Sequence, residues 1–168
     1  MAPLWRVGDR IQNRWEVHHL QRGGRWIVYF VYDHETHLPY TVKTLAEELL
    51  TSDPALAERF VQAAQAWMVL GGHYNITQVH SVEIVDGYPL VFLEHVSGGS
   101  LRDWIGLPRL TQDLPQLVRL AMQCCDGLLH ASAHGLTVHG EITPQNCLMT
   151  RDRVLKVTDF GLALLTPM

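Results

Sequence analysis

The sequence predicts an α+β fold in which a small β-rich part is followed by a mostly helical part. The β-rich part is predicted from short runs of β-branched and aromatic residues separated by glycine-containing turns, which are typical of antiparallel hairpins. The helical part is predicted from apolar residues that recur every three or four positions over residues 114–133. We expect the boundary at Ser97-Gly98-Gly99-Ser100, which follows the last predicted strand.

The composition is that of a globular protein. The chain has 168 residues, 47% of them hydrophobic, and 13 basic against 17 acidic residues give a net charge of −4. This charge and the lack of long basic runs argue against a nucleic-acid partner. No apolar stretch approaches the roughly 18–20 residues that span a bilayer, and the first residues do not resemble a signal peptide. We therefore expect no membrane segment.

The cysteines and histidines do not form a metal-binding pattern. Three cysteines without metal spacing fit a reducing cytoplasm, so a cytoplasmic location is expected, with the adjacent Cys124-Cys125 filling the core. Ten histidines are present, but no H-E-x-x-H motif accompanies them. His130 and His134, four residues apart, are expected to be a surface or partly buried pair near a helix end. We predict no metal site built from protein ligands alone.

Five strands and one helix are predicted in the first part, after a lead-in at residues 1–14. A helix begins at Ser52-Asp53-Pro54, where an N-cap candidate precedes a proline, and Gly71-Gly72 ends it. Asp86-Gly87 is a hairpin dipeptide between the last two strands. The predicted strands cover residues 15–20, 26–33, 40–43, 77–85 and 89–94.

Two helices and a hairpin are predicted in the second part. Ser100, with Asp103 three residues later, resembles a capping box at the start of a short helix. The long helix at 114–133 should be buried and should end at His134-Gly135. A charged turn then separates two short apolar runs, which predicts a β-hairpin over residues 147–158.

The stretch from His139 to Gly161 contains the most specific motif. The carboxylate residue Glu141 stands five positions before Asn146, and the predicted hairpin leads to Asp159-Phe160-Gly161. This ordered set resembles the protein-kinase catalytic loop H-R-D-x-x-x-x-N followed by D-F-G. The resemblance is to bacterial-type Ser/Thr protein kinases and extends back through most of the chain. It implies a kinase N-lobe at 15–96 and a partial C-lobe at 97–168 that stops before the A-P-E motif and the remaining helices.

The resemblance implies that the chain binds ATP and Mg²⁺. Lys43, at the end of Tyr40-Thr41-Val42-Lys43, matches the V-A-I-K lysine that contacts the α- and β-phosphates. Asn146 and Asp159 match the oxygen ligands of Mg²⁺, and together with Glu141 they would form the catalytic set. The hairpin with Gly23 and Val28 would cover the nucleotide.

The adenine would be held by a hinge. Glu94-His95-Val96 resembles the kinase hinge, so Glu94 and Val96 are expected to contact adenine through their backbone, with Leu93 as the gatekeeper.

Several functional positions depart from the family pattern. Aligning the G-x-G-x-x-G-x-V motif on Val28 places Gln21 and Trp26 at two of its three glycines, and the tryptophan adds bulk where backbone should approach phosphates. An ordinary hairpin with two glycines explains the same residues about equally well. Ala63 stands where the family's αC helix carries the glutamate that pairs with the strand-three lysine.

The catalytic loop also departs from the family pattern. Glu141 replaces an aspartate, which moves the carboxylate by about 1.5 Å, and displacements of about 1 Å can cost roughly 10²-fold in rate. Thr143 replaces a lysine that stabilises charge on the transferred phosphoryl group, and Gly140 replaces an arginine.

These departures favour a nucleotide-binding pseudokinase with a regulatory or interaction role. The alternative is an active Ser/Thr kinase segment, with Glu141 as the base, that is completed by the missing half of the C-lobe. A third hypothesis is a remnant that associates through the apolar face of 114–133. A protein partner could cover that incomplete lobe.

Overall fold

The computed structural model describes residues 4–165, apart from the side chains of residues 109 and 111. The Cα positions divide into two compact units, residues 4–65 with 79–95, and residues 66–78 with 96–165. The predicted domain bounds of 1–14, 15–96 and 97–168 stay a prediction. Their first and last three residues lie outside the described part of the chain.

The first unit is built on one six-stranded antiparallel sheet. Its strand order is β1-β2-β3-β4-β6-β5, in which only β6 and β5 depart from chain order. The strands are β1 (Arg10–Ile11), β2 (Trp15–Gly23), β3 (Trp26–Asp33), β4 (Leu38–Leu45), β5 (Val79–Val85) and β6 (Tyr88–Glu94). The five predicted strands are therefore confirmed. Strand β1 was not predicted, because it is too short to show a strand pattern.

Buried and partly exposed side chains alternate along β3, which distinguishes the two faces of this sheet. Ile27, Tyr29 and Val31 are buried, and the residues between them are partly exposed. The buried face packs into a core that also contains Trp5 and Ile11 of the predicted lead-in. Trp5 meets Tyr29 edge to face, with 5.7 Å between ring centroids. The lead-in is therefore part of the packed unit in its described residues.

The turn chemistry of the sheet agrees with the predictions. Asp86 and Gly87 both have positive φ angles, 52° and 84°, as a two-residue type I′ hairpin requires. Val85 pairs with Tyr88 across this turn. The first hairpin turns at Gly24, whose φ is 47°, so β2 extends three residues further than predicted.

Two helices follow β4. Helix α1 (Glu47–Ser52) was not predicted, because its six residues bury none of their side chains and leave no apolar period to detect. Helix α2 (Ala55–Met68) confirms the predicted helix. It buries Leu56, Phe60, Ala64 and Trp67, a spacing of three and four residues.

The second unit is mainly helical. It contains α3 (Leu101–Trp104), α4 (Pro108–Thr111), α5 (Leu114–Ala133), and the hairpin of β7 (Cys147–Met149) with β8 (Leu155–Val157). The carboxylate of Asp103 accepts hydrogen bonds from the backbone N–H and the hydroxyl of Ser100, which confirms the predicted helix start. Helix α4 was not predicted.

Helix α5 has the predicted bounds but is buried on one side only. Asp113 caps it by accepting a hydrogen bond from the backbone N–H of Gln116, and Gly135 follows its end with a φ of 87°. The prediction that the whole helix is buried, and that Cys125 fills the core, is wrong, because Cys125 is exposed. The exposed apolar side chains of α5 are Leu114, Leu117, Val118, Met122 and Leu129.

A short extended segment lies between α5 and β8. Asn75 accepts a hydrogen bond from the backbone N–H of Val157, and Thr77 donates one back to Val157 O, both at 2.9 Å. On the other side, a Cβ atom added to Gly127 of α5 would lie 2.7 Å from the carbonyl oxygen of Asn75. Glycine is therefore required at 127 by the close approach of two backbones. Within residues 4–165, no helix is long and apolar enough to cross a membrane.

We expect Gly127→Ala to destabilise the protein by about 1–3 kcal/mol, the usual cost of overpacking a filled site. This would outweigh the gain of roughly 1 kcal/mol that alanine normally brings to a helix interior. Urea unfolding followed by circular dichroism measures the difference. Ser132→Ala, at an exposed position of the same helix, is the matched control and should change stability by less than about 0.5 kcal/mol.

Candidate nucleotide and catalytic site

The predicted catalytic loop is closed by hydrogen bonds to the hairpin that follows it. The backbone N–H of Thr158 donates to Asn146 O, and that of Gly161 donates to His139 O, each at 3.0 Å. The loop from 139 to 146 is therefore bonded at both ends to the segment that carries Asp159. Three of the predicted site residues, Glu141, Asn146 and Asp159, belong to this one closed arrangement.

His139 bonds through both ring nitrogens. Its Nε2 lies 2.7 Å from Thr158 O, so this nitrogen donates. Its Nδ1 accepts from the backbone N–H of Glu141 at 3.2 Å. Both bonds are satisfied by the neutral ring with the proton on Nε2. The side chain is buried, and this burial holds the pKa of His139 below the usual histidine value, against the opposing effect of its hydrogen bond to Thr158.

Asn146 is oriented by Glu141. The amide nitrogen of Asn146 donates to Glu141 O at 2.9 Å and reaches the Glu141 carboxylate at 3.4 Å. Because the amide nitrogen makes these bonds, the amide oxygen is the end that can be offered to a cation. The Glu141 carboxylate therefore lies beside Asn146 and is exposed.

Asp159 adopts an unusual backbone conformation. Its φ of 67° is in the left-handed region, which aspartate tolerates better than most residues. The next side chain, Phe160, is buried and packs on His139 at 4.7 Å and on Trp67 of α2 at 6.1 Å, measured between ring centroids. The Asp159 side chain remains partly exposed beside this aromatic cluster. The arrangement fixes the backbone of Asp159 next to a buried aromatic cluster.

The first unit carries the other predicted residues. Val28 pairs with Lys43 across β3 and β4, and the Lys43 side chain is only 6% exposed. Gly23 ends β2 opposite Trp26, and a Cβ atom added there would meet nothing within 4 Å. Glu94 ends β6 opposite Tyr40. Leu93, the expected gatekeeper, is buried.

The ammonium of Lys43 lies over an aromatic ring. Its Nζ is 4.7 Å from the centroid of Trp26, within the range of a cation–π interaction. Sequence reasoning identified Trp26 only as an obstruction and missed this contact. The signal that could have revealed it is the strand register, since Trp26 and Lys43 lie diagonally on neighbouring strands.

The remaining predicted residue, Val96, belongs to the second unit and is partly exposed. The two units thus hold separate sets, with Gly23, Val28, Lys43 and Glu94 in the first and Val96, Glu141, Asn146 and Asp159 in the second. Their functional roles stay predictions. In the described part of the chain, no group of three or more His, Cys, Asp and Glu side chains is arranged to hold a metal ion.

Comparison with known proteins identifies the family. A family model described as protein tyrosine and serine/threonine kinase matches residues 20–167. The chain belongs to the protein kinase family. The expected kinase-like α+β fold is confirmed by the solved kinase domain of PknI from Mycobacterium tuberculosis, with a TM-score of 0.75 and 22% identity, over 97% of this chain and 64% of that one.

Sequence relatives point to the Ser/Thr branch of the family. The chain is 32% identical to the serine/threonine-protein kinase Pkn1 of Myxococcus xanthus, over 95% of this chain and 23% of that protein. It is also 32% identical to the serine/threonine-protein kinase cds1 of Schizosaccharomyces pombe, over 74% of this chain and 27% of that protein. This kinase-like domain thus spans about a quarter of the length of these curated relatives.

We expect the free energy of unfolding to fall as the pH drops from about 7 to 5.5. The folded state favours neutral His139 and also neutral His73. The pKa of His73 is lowered by burial and by electrostatic repulsion from the adjacent His130. The unfolded chain, with histidine pKa values near 6.5, binds more protons in this range. Urea midpoints at several pH values measure this slope.

His139→Gln provides the comparison for that slope, because an amide can still donate to Thr158 O but does not titrate. The variant should show a flatter dependence of stability on pH. An unchanged slope would contradict the assignment of a neutral His139. Keeping the pH above about 5.5 limits the contribution of carboxylates.

Proposed function

We propose that this kinase-family domain binds Mg²⁺-ATP but transfers phosphate poorly, and that its role is regulatory. The observation that carries the proposal is the hydrogen bonding of the catalytic loop, in which the Glu141 carboxylate lies beside Asn146. Kinases of this family use ATP with Mg²⁺, which supplies charge neutralisation at the phosphates. This chain would supply the residues that bind and orient the nucleotide.

The donor set fits a magnesium ion. Asn146 can offer its amide oxygen because its nitrogen is bonded to Glu141 O, and Asp159 offers a carboxylate. Oxygen ligands of this kind suit Mg²⁺, which usually keeps several water ligands and binds through one or two carboxylates and the substrate phosphates. The two residues would therefore hold the metal together with the nucleotide.

Poor transfer is supported by the position of the Glu141 carboxylate. The base of a kinase must lie within hydrogen-bond reach of the substrate hydroxyl. Glu141 is one methylene longer than the family's aspartate, and its carboxylate is attracted to the amide nitrogen of Asn146 at 3.4 Å. Both features move it from the position that an aspartate would occupy.

An interaction role is supported by the surface of helix α5. Its exposed face presents apolar side chains, among them Leu117, Val118 and Met122. Contiguous exposed apolar surface is typical of protein interaction sites. A protein partner, or further kinase-domain sequence, would cover this face under the proposal.

The first experiment measures the thermal midpoint with and without Mg²⁺-ATP. At 100 times Kd, binding should stabilise the folded state by about 2.7 kcal/mol, a shift of roughly 5–10 °C for a domain of this size. Asp159→Asn should remove the part of the shift that depends on Mg²⁺. No shift in a cooperatively melting wild-type sample would refute nucleotide binding.

The second experiment measures transfer of labelled phosphate from ATP to a generic protein substrate. We expect little transfer by the wild type and a gain of up to about 10²-fold in Glu141→Asp, which restores the family's side-chain length. Asp159→Asn is the negative control. Strong wild-type transfer that Asp159→Asn abolishes would instead identify an active Ser/Thr kinase segment.

A further inference from the structure

Lys43, Trp26 and Phe60 form a stack in the first unit. The ammonium of Lys43 lies 4.7 Å from the Trp26 centroid, and the Trp26 ring lies 5.8 Å from that of Phe60, with 35° between the planes. Phe60 is fully buried, and Lys43 is almost so. The tryptophan ring therefore contacts both a charged group and the apolar face of α2.

The strand register produces this stack. Val28 is directly opposite Lys43, and Trp26 is opposite Leu45, so Trp26 and Lys43 are diagonal neighbours on one face of the sheet. Long and aromatic side chains reach each other across such diagonals. Helix α2 completes the arrangement, because its buried stripe places Phe60 against the ring. Each contact follows from the pairing of elements and needs no unusual backbone.

Helix α2 lacks an acid where a kinase would supply one. The position that matches the family's αC glutamate is Ala63, whose methyl group can neither accept a hydrogen bond nor carry charge. The same helix instead supports the ring that contacts Lys43. We propose that Trp26, supported by Phe60, orients Lys43 for nucleotide phosphates in place of that acid. The inference rests on the proposed function.

A ring and a carboxylate act differently on an ammonium. A carboxylate accepts hydrogen bonds from an ammonium and carries the opposite charge, whereas a ring attracts the cation through its quadrupole and carries no net charge. Trp26 is therefore a positioning residue, and its effect should appear with ligands that carry phosphates. Adenosine, which lacks phosphates, should not report it.

The binding test compares the dissociation constants of Mg²⁺-ATP and adenosine by calorimetry. Trp26→Leu should weaken ATP binding about tenfold and leave adenosine binding unchanged. The ATP dissociation constant of Trp26→Phe should lie between those of Trp26→Leu and the wild type. Lys43→Met should also weaken ATP binding, and adding Trp26→Leu to it should cause little further loss, since the two residues act as one unit. Tyr32→Leu, on the same strand and the same face, is the matched control and should change neither constant.

Two results of this test would overturn the inference. Equal losses for ATP and adenosine in Trp26→Leu would indicate a general structural effect of the ring. Unchanged or tighter ATP binding in that variant would indicate that the ring does not help Lys43 or obstructs the nucleotide.

A nuclear magnetic resonance measurement tests the stack without nucleotide. The ε-methylene protons of Lys43 should be shifted upfield by the ring current of Trp26, and Trp26→Leu should abolish this shift. If the shift is absent from the wild type, the inference is wrong whatever the nucleotide affinity. If the shift is present and the wild type binds neither ligand, the proposed function fails while the pairing of Trp26 with Lys43 stands.

Discussion

The imidazole of His139 joins the two halves of the candidate catalytic segment. One ring nitrogen bonds to the carbonyl of Thr158, next to Asp159, and the other bonds to the backbone N–H of Glu141. Phe160 packs on the same ring. Apart from a 3₁₀ turn at Pro144–Asn146, the loop and the hairpin end are irregular backbone, with polar groups that must be satisfied when buried. A single neutral histidine thus satisfies groups on both and sets the spacing between Glu141 and Asp159.

Elements with a long periodic pattern or a specific turn or capping motif could be predicted from the sequence, and short elements without such a signal could not. Helix α5 was placed with its observed bounds because twenty residues repeat one spacing, and the Asp86-Gly87 turn was recognised from its backbone requirement. The strand β1 and the helices α1 and α4 contain only two, six and four residues. Segments of that length form where tertiary contacts allow them, so their own residues carry little signal. The exposure of Cys125 was missed for a related reason, since an apolar stripe does not reveal how much of it a neighbour covers.

The site could be predicted as a set of positions but not as a set of contacts. The resemblance to the kinase catalytic loop and D-F-G motif identified Glu141, Asn146 and Asp159, and the structure brings them into one closed loop and hairpin. The bond between the Asn146 amide and Glu141 depends on side-chain rotamers, which no spacing specifies. Trp26 is the clearest case. Its bulk suggested an obstruction, yet register and helix packing place its ring against Phe60 and next to the Lys43 ammonium.

The Trp26 ring beside Lys43 contributes to the electrostatics of the first unit. Burying an ammonium is costly unless a partner compensates for lost water, and a ring compensates only in part. Under the proposal, a bound phosphate group would add to this compensation, because it brings negative charge to the ammonium. Under the proposal, the contact with the ring would support binding of an anionic ligand more than precise phosphotransfer, because a ring face is less directional than a charge-assisted hydrogen bond.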